Sequence, residues 1–236
     1  RDAIDTLVTK GDKQYVFVDT AGIRRKRSVS APVEMTSVMQ AIRAMERCDV
    51  VVVLLDDTGF AHLSCYGGLV DTPNYDRLAD RGLRYTNFHT TALCSPTRAC
   101  LLTGRNHHSV GMRGLSNFDT GFPNMRGRIA RSAGTMAEML REDGFATWAV
   151  GKWHLTPMRE ASAVGPFGDW PLQRGFDRYY GFLGGETNQW APFLYDGTAV
   201  VELPHDPNYH FMTDMTDKVV AWIKYQKALA PQKPSF

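Results

Sequence analysis

The stretch CSPTRACLLTG, residues 94–104, carries helix signals at both ends. Ser95 is a good N-cap residue, the proline after it suits the first helical position, and Gly104 can end the helix. Cys94 is therefore predicted to lie just before a helix start, with Arg98 one turn into the helix. A helix N-terminus offers free N–H donors and partial positive charge. The stretch predicts a thiol and a guanidinium arranged around a tetrahedral anion.

Around this stretch the chain alternates between helical and extended patterns. Helices are predicted over Pro73–Arg81, Thr135–Asp143 and Thr213–Leu229, and strands over Val50–Leu55 and Ala146–Val150. Such alternation is typical of a sheet covered by helices. The sequence therefore predicts an α/β fold.

Two adjacent carboxylates, Asp56 and Asp57, follow the apolar run Val50–Leu55. Like charges at this spacing repel each other, and a hard divalent cation with oxygen ligands would relieve the repulsion. The alternative is a solvated loop pair that caps the next turn. The pattern on its own leaves both interpretations open.

Two further polar side chains, Lys152 and His154, follow the predicted strand Ala146–Val150. Open α/β sheets usually bind ligands outside the carboxyl ends of their strands. These side chains and the aspartate pair are therefore expected to share one rim of the sheet with Cys94. A histidine beside a tryptophan is also typical of a packed, hydrogen-bonded core residue, so this alternative stays open.

Three segments together resemble the sulfatase family: the CxPxR stretch at Cys94 with its later Thr-Gly pair, the Asp pair followed by TGFAHLSCYGG and TPNYDRLADRG, and the GKWHL motif. The resemblance extends over residues 50–236 and implies an alkaline-phosphatase-like mixed sheet flanked by helices. It implies that Cys94 is oxidised to formylglycine and that Asp56, Asp57 and residue 94 bind Ca²⁺. It also implies that Lys152 contacts the sulfate and His154 the formylglycine oxygens.

The resemblance further implies a reaction and two partners, a small-molecule sulfate ester and the formylglycine-generating enzyme. One hydroxyl of the aldehyde hydrate attacks sulfur, and deprotonation of the second releases sulfate. Arg98 and the metal would neutralise the sulfate charge, while His154 would handle protons. The loops within WPLQRGFDRYYGFLGGETNQW, residues 170–190, resemble the substrate side of bacterial arylsulfatases. Their aromatic rings are expected either to line an aryl pocket or to pack beneath the loops.

The first 49 residues resemble a different family. YVFVDTAGIRRKRSV, residues 15–29, is similar to the second GTPase domain of the EngA (double Era-like) ribosome-assembly GTPases, in which Asp19 and Gly22 would sense the γ-phosphate and magnesium. The phosphate cradle GxxxxGK[ST] and the guanine-reading NKxD occur nowhere in the sequence, so nucleotide binding is not expected. We therefore predict a chimera, with a partial GTPase segment over 1–49 and the amino-terminal part of a sulfatase domain over 50–236.

Composition bounds the remaining possibilities. The chain has 236 residues, 43% hydrophobic and 22% charged, with a net charge of +2. The composition predicts globular structure, and the small net charge predicts no nucleic-acid partner. No apolar run approaches the roughly 20 residues of a membrane span, so no membrane partner is predicted. The four cysteines form no CxxC pair, which predicts reduced thiols. The N-terminus lacks the hydrophobic core of a signal peptide, which predicts a cytoplasmic location.

The sulfatase resemblance also predicts an incomplete site. The family's later part supplies a second metal-ligand pair and another His and Lys at the sulfate, which this chain does not match. We therefore expect a sheet incomplete at its C-terminus and little or no sulfatase activity from the chain alone. A GTPase fragment and a catalytically silent α/β module that binds an anion are the alternatives.

Overall fold

The computed structural model describes residues 7–10, 13–16 and 49–236. Four α-helices lie in these residues: α1 (Pro73–Arg81), α2 (Cys94–Thr103), α3 (Met136–Glu142) and α4 (Phe211–Leu229). The strands are β1 (Leu7–Lys10), β2 (Lys13–Val16), β3 (Trp148–Lys152), β4 (Arg178–Phe182), β5 (Tyr195–Asp196) and β6 (Ala199–Val200). The predicted GTPase residues Asp19 and Gly22 lie outside the described residues.

The strands form two sheets. β1 and β2 pair antiparallel, with Leu7 opposite Val16. The larger sheet has the order β3-β4-β5-β6, in which β3 and β4 are parallel and the remaining neighbours antiparallel. Helices α2 and α3 contact each other, and α4 packs on β3 and β4. This mixed sheet with flanking helices confirms the predicted α/β class.

Helices α1 and α3 follow their local sequence signals. The first begins with a proline in its first turn and ends at Gly82, as predicted. The second is capped by Thr135, whose hydroxyl accepts from the backbone N–H of Glu138 while the Glu138 carboxylate accepts from the Thr135 N–H. This reciprocal pair is a capping box, which satisfies two N–H groups that would otherwise lack partners.

Helix α2 begins two residues earlier than predicted. Its N-cap is Leu93 in an extended conformation without a side-chain cap, and Gly104 ends the helix with φ 63°. The prediction that Ser95 is the N-cap is therefore wrong. The Ser95 hydroxyl instead accepts from the backbone N–H of Ser116, 3.1 Å away, so a tertiary contact uses the group that the sequence assigned to capping.

The predicted strand Val50–Leu55 is also wrong. Among the described residues, Val50 N–H donates to the Ser235 carbonyl, but no regular strand forms here. On the edge of β3 away from β4, the neighbouring segment is instead 234–236. Ala146 N–H donates to the Pro234 carbonyl, and Ala146 and Ser235 form a parallel bridge. A strand requires a hydrogen-bonded neighbour along its length, and residues 51–54 face a cavity of about 260 Å³ instead.

The core lies between the sheet, α2 and the loops after α2. Trp170 and Leu194 are fully buried, and Leu155 is 2% exposed. Arg174 is also 2% exposed, and its guanidinium donates to the carbonyl oxygens of Ile129 and Ala133. This buried cation holds the 129–133 loop against the segment that leads into β4.

Three of the four cysteines lie in the described residues, Cys65, Cys94 and Cys100, and they are not joined to one another by a disulfide. No helix within the described part of the chain has the length and apolar character needed to cross a membrane.

Candidate active site

Helix α2 places Cys94 and Arg98 on one face. They are four residues apart, a spacing that aligns side chains one turn above each other. The first turn is anchored by buried neighbours, Ser95 and Thr97, and the Thr97 hydroxyl lies 2.6 Å from that of Thr91. The thiol is therefore presented from the rigid end of a packed helix.

The end of β3 supplies Lys152 and His154. Lys152 is the last residue of the strand. Backbone hydrogen bonds to the chain after β4 continue past it, and His154 N–H donates to the Leu183 carbonyl. His154 has a positive φ of 52° and is 2% exposed. A non-glycine residue in this region is strained unless its surroundings fix it, so the fold imposes the orientation of this ring.

The structure brings the histidine against the cysteine. His154 Nδ1 lies 3.1 Å from Cys94 Sγ, within hydrogen-bonding distance for sulfur. Burial, together with the positive charges of Lys152 and Arg98, lowers the pKa of His154 to about 4. The ring is therefore neutral near pH 7, with one nitrogen able to accept a proton.

Two cations converge on one carboxylate beside this pair. Arg98 lies 3.4 Å from Asp56 Oδ1, and Lys152 forms an ion pair with Asp56 Oδ2. Arg98 also donates to the Lys152 carbonyl at 2.7 Å, which ties α2 to β3. Burial raises the pKa of Asp56, but the charge of Arg98 and the hydrogen bond from Lys152 outweigh this, so the pKa lies below its usual value.

The predicted metal ligands are only partly assembled. Asp56 is ion-paired, whereas Asp57 is exposed and has φ 55°. Within residues 49–236 no three His, Cys, Asp or Glu side chains gather into a group that could hold a metal ion. Two carboxylates offer hard oxygen ligands of the kind calcium prefers, but fewer than its usual six to eight. The described residues therefore fit part of a calcium site.

One residue at the site was missed by sequence reasoning. Asn117 Oδ1 lies 3.0 Å from Nε2 of His154, on the opposite side of the ring from Cys94. Asn117 is 37 residues before His154 in the chain, and no local pattern marks it. Only the packing of the loop after α2 brings it to the site.

The aromatic residues of the 170–190 segment divide between the two expected roles. Trp170 is fully buried and packs edge-on against Phe167 and Tyr195. Trp190 is 54% exposed and contacts His210 at a ring-centroid distance of 5.5 Å. Packing therefore explains the first tryptophan, and only the second is accessible to a ligand.

Several curated proteins with sequence similarity to this chain are sulfatases. The chain is 36% identical over 177 residues to an uncharacterized sulfatase of Schizosaccharomyces pombe, covering 68% of this chain and 30% of the relative. It is 32% identical to the arylsulfatase of Klebsiella aerogenes, covering 74% and 36%, and 40% identical to human arylsulfatase A, covering 56% and 25%. The chain thus spans about a third of the length of the curated relatives it matches.

Solved structures give the same picture for the fold. Ps i-CgsB in complex with k-i-k-neocarrahexaose aligns with a TM-score of 0.58 and 25% identity, over 77% of this chain and 42% of that one. BT4656 in complex with its substrate D-glucosamine-2-N,6-O-disulfate aligns with a TM-score of 0.56 and 26% identity, over 76% and 31%. The alkaline-phosphatase-like fold class is therefore confirmed.

Two family models match the sequence. The model described as 50S ribosome-binding GTPase matches residues 1–81, about a third of the chain, in agreement with the resemblance found at the N-terminus. The model described as Sulfatase matches residues 49–236, most of the chain, and includes every residue of the site described above. This chain belongs to the sulfatase family.

Proposed function

We propose that the site at residue 94 is that of a sulfuric ester hydrolase acting on aryl sulfate esters, and that these 236 residues alone have little or no such activity. The observation that carries the proposal is the 3.1 Å distance between Cys94 Sγ and His154 Nδ1 at the start of α2. A nucleophile within reach of a neutral base and next to fixed cations suits attack on an anionic ester. Membership of the sulfatase family and similarity to the Klebsiella aerogenes arylsulfatase support the reaction class.

Arg98 and Lys152 are proposed to bind the sulfate group. Both cations already converge on a single carboxylate, that of Asp56, which occupies the position of an anion between them. The Nε of Arg98 is buried and has no hydrogen-bond partner among the described residues, so one donor remains available. A sulfate ester bound here would gain charge-assisted hydrogen bonds from fixed donors.

Cys94 is proposed to act after oxidation to formylglycine by the formylglycine-generating enzyme, as is general in this family. The hydrate of that aldehyde supplies two hydroxyl groups on one carbon, one for attack on sulfur and one for release of sulfate. His154 contributes the nearby proton acceptor, since its Nδ1 faces residue 94. Burial and the neighbouring cations lower its pKa to about 4, so the ring is neutral near pH 7 and one of its nitrogens carries a free lone pair.

A divalent metal, with calcium as the proposed ion, would be held by Asp56, Asp57 and residue 94. It would supply positive charge that neutralises the sulfate. Lys152 would then have to share or release the Asp56 carboxylate that it pairs with in this structure. The roles assigned above to Arg98, Lys152 and His154 do not depend on that exchange.

Peptide mass analysis tests the central step. Trypsin should release residues 85–98, which contain Cys94 as their single cysteine, and residues 99–105, which contain Cys100 as an internal control. After coexpression with the formylglycine-generating enzyme, the first peptide should carry the aldehyde and the second an unmodified thiol. An unmodified Cys94 would overturn the proposed chemistry and favour the silent anion-binding module.

Binding of an aryl sulfate tests the anion site separately. Titration calorimetry should detect binding of 4-nitrophenyl sulfate to the chain, and Lys152→Met should weaken it by about tenfold or more, the loss expected for one charged hydrogen bond. Lys218→Met is the matched control, because Lys218 pairs with Asp196 at an exposed position. Equal affinities of the three proteins would refute the assignment of Lys152.

A second candidate function, GTP binding, is favoured by the match of residues 1–81 to the GTPase family. The sequence has no GxxxxGK[ST] cradle and no NKxD motif, which recognise the phosphates and the guanine base. We therefore expect calorimetry to show no binding of GTP, and measured binding would restore this candidate.

A further inference from the structure

Three side chains form a continuous hydrogen-bonded series at the candidate active site. The thiol of Cys94 lies 3.1 Å from Nδ1 of His154, and Nε2 of the same ring lies 3.0 Å from Oδ1 of Asn117. His154 is 2% exposed, whereas Asn117 lies at the surface. The asparagine therefore covers the outer edge of a ring whose inner edge faces the nucleophile position.

The fold fixes Asn117 through its neighbour. Ser116 is 2% exposed, and its backbone N–H donates to the hydroxyl of Ser95 at 3.1 Å. Ser95 directly follows Cys94 in α2, so the loop that carries Asn117 is tied to the helix that carries the thiol. The Ser116 backbone also packs closely on Gly127, where an added Cβ would come within 2.6 Å of the Ser116 carbonyl oxygen. Two independent contacts thus hold the loop in place.

The chemistry of an amide oxygen determines what this contact does to the histidine. Oδ1 can only accept a hydrogen bond, so the ring must donate through Nε2–H. A neutral imidazole carries one proton, and its other nitrogen, Nδ1, is then an acceptor. We propose that Asn117 is a positioning residue that holds His154 in the Nε2–H tautomer, with the Nδ1 lone pair directed at the side chain of residue 94.

This inference deepens the proposed function, because it concerns the same site, but the thiol form of the chain can test it. When Cys94 reacts with iodoacetamide, its sulfur forms a bond to the CH₂ carbon and iodide leaves. The S–H proton passes to Nδ1 and then to solvent. Loss of the Asn117 acceptor should therefore slow alkylation of Cys94 without any need for formylglycine, metal or sulfate ester.

The variants are Asn117→Leu, which removes the acceptor, and Asn117→Asp, which keeps an oxygen at the same place. The matched control is Asn87→Leu, because Asn87 Oδ1 makes the same kind of contact to His89 Nε2, at 2.7 Å, on the surface. Alkylation rates are measured for Cys94 and, as internal references, for Cys65 and Cys100. Ring ¹⁵N spectra of histidine-labelled protein report the tautomer of His154, identified by comparison with His154→Asn.

The wild-type chain should show the Nε2–H tautomer at His154. Asn117→Leu should lose that preference and slow alkylation of Cys94 by about three- to tenfold, the equivalent of one hydrogen bond. Asn117→Asp should keep the Nε2–H tautomer, because its carboxylate also accepts from Nε2–H. Asn87→Leu should stay within about twofold of the wild-type rate, which is less than the effect of one such bond.

An Nδ1–H tautomer in the wild type would overturn the proposal. So would an unchanged Cys94 rate in Asn117→Leu, or equal changes at Cys94, Cys65 and Cys100. Failure of Cys94 to become formylglycine in coexpression would count against the proposed function only, because these measurements use the thiol.

Discussion

Acidification is expected to destabilise this fold through one side chain, His154. In the unfolded chain a histidine takes up a proton near pH 6.5, whereas in the folded chain burial and the neighbouring charges of Lys152 and Arg98 lower the pKa of His154 to about 4. Between these two values the unfolded state binds a proton that the folded state does not. Stability from this residue is therefore complete above pH 6.5 and falls as the pH drops toward 4.

The size of the effect follows from the two pKa values. A difference of about 2.5 between unfolded and folded states corresponds to about 3 kcal/mol of unfolding free energy, at about 1.4 kcal/mol for each pH unit. Of this, about 2 kcal/mol should be lost between pH 7 and pH 5. Such a loss is a large part of the total stability of a typical domain.

Urea unfolding at pH 7 and at pH 5 measures this loss, and His154→Asn supplies the reference. Asparagine is neutral at both values and tolerates the positive φ of this position, so it removes the proton uptake with little added backbone strain. Other titrating groups affect both proteins equally and cancel in the comparison. If both proteins lose the same unfolding free energy between pH 7 and pH 5, the assignment to His154 is refuted.

Three further outcomes are expected. In urea unfolding, Gly175→Ala should destabilise the chain by about 3 kcal/mol or more, because the added Cβ would collide with the backbone of Ala137 and Glu138. Gly144 also has a positive φ but open space around it, so Gly144→Ala should cost about 1 kcal/mol. Thr135→Val should lower the unfolding free energy by about 1 kcal/mol or more in the same assay, because it removes both the N-cap of α3 and the hydrogen bond from the hydroxyl to the Arg174 carbonyl; an unchanged midpoint would contradict both roles. The purified 236-residue chain should turn over little or no chromogenic aryl sulfate, because the described residues assemble only part of the metal site; turnover that Cys94→Ala abolishes would reverse this expectation.

Sequence predicted the helices where their signals are local. Pro73 and Gly82 bound α1, and the Thr135 capping box starts α3, because each signal acts within one turn of the helix. The start of α2 was predicted two residues late, since Ser95 has a tertiary partner in Ser116 that no local pattern reveals. Capping propensity decides a helix start only when no distant backbone group competes for the same hydroxyl.

The site was predictable to a similar degree. Two short motifs name Cys94, Arg98, Lys152 and His154, and the folded chain brings these side chains together. Asn117 was missed because its contact with His154 spans 37 residues of chain. The prediction of a strand over Val50–Leu55 was wrong for a similar reason. A run of β-branched residues indicates burial but does not show which neighbouring segment will supply the hydrogen bonds.

The contact between Val50 and Ser235 has a consequence for how the protein is made. Asp49, one residue before Val50, also accepts from the Ser235 N–H, and these partners are 186 residues apart. At about 5–20 residues per second, a ribosome needs roughly 10–40 seconds to synthesise the second partner after the first. Throughout that interval Asp49 and Val50 are on a nascent chain without their partner. This end of the fold can therefore close only after residue 235 has been synthesised, and until then the partly folded chain is open to premature association.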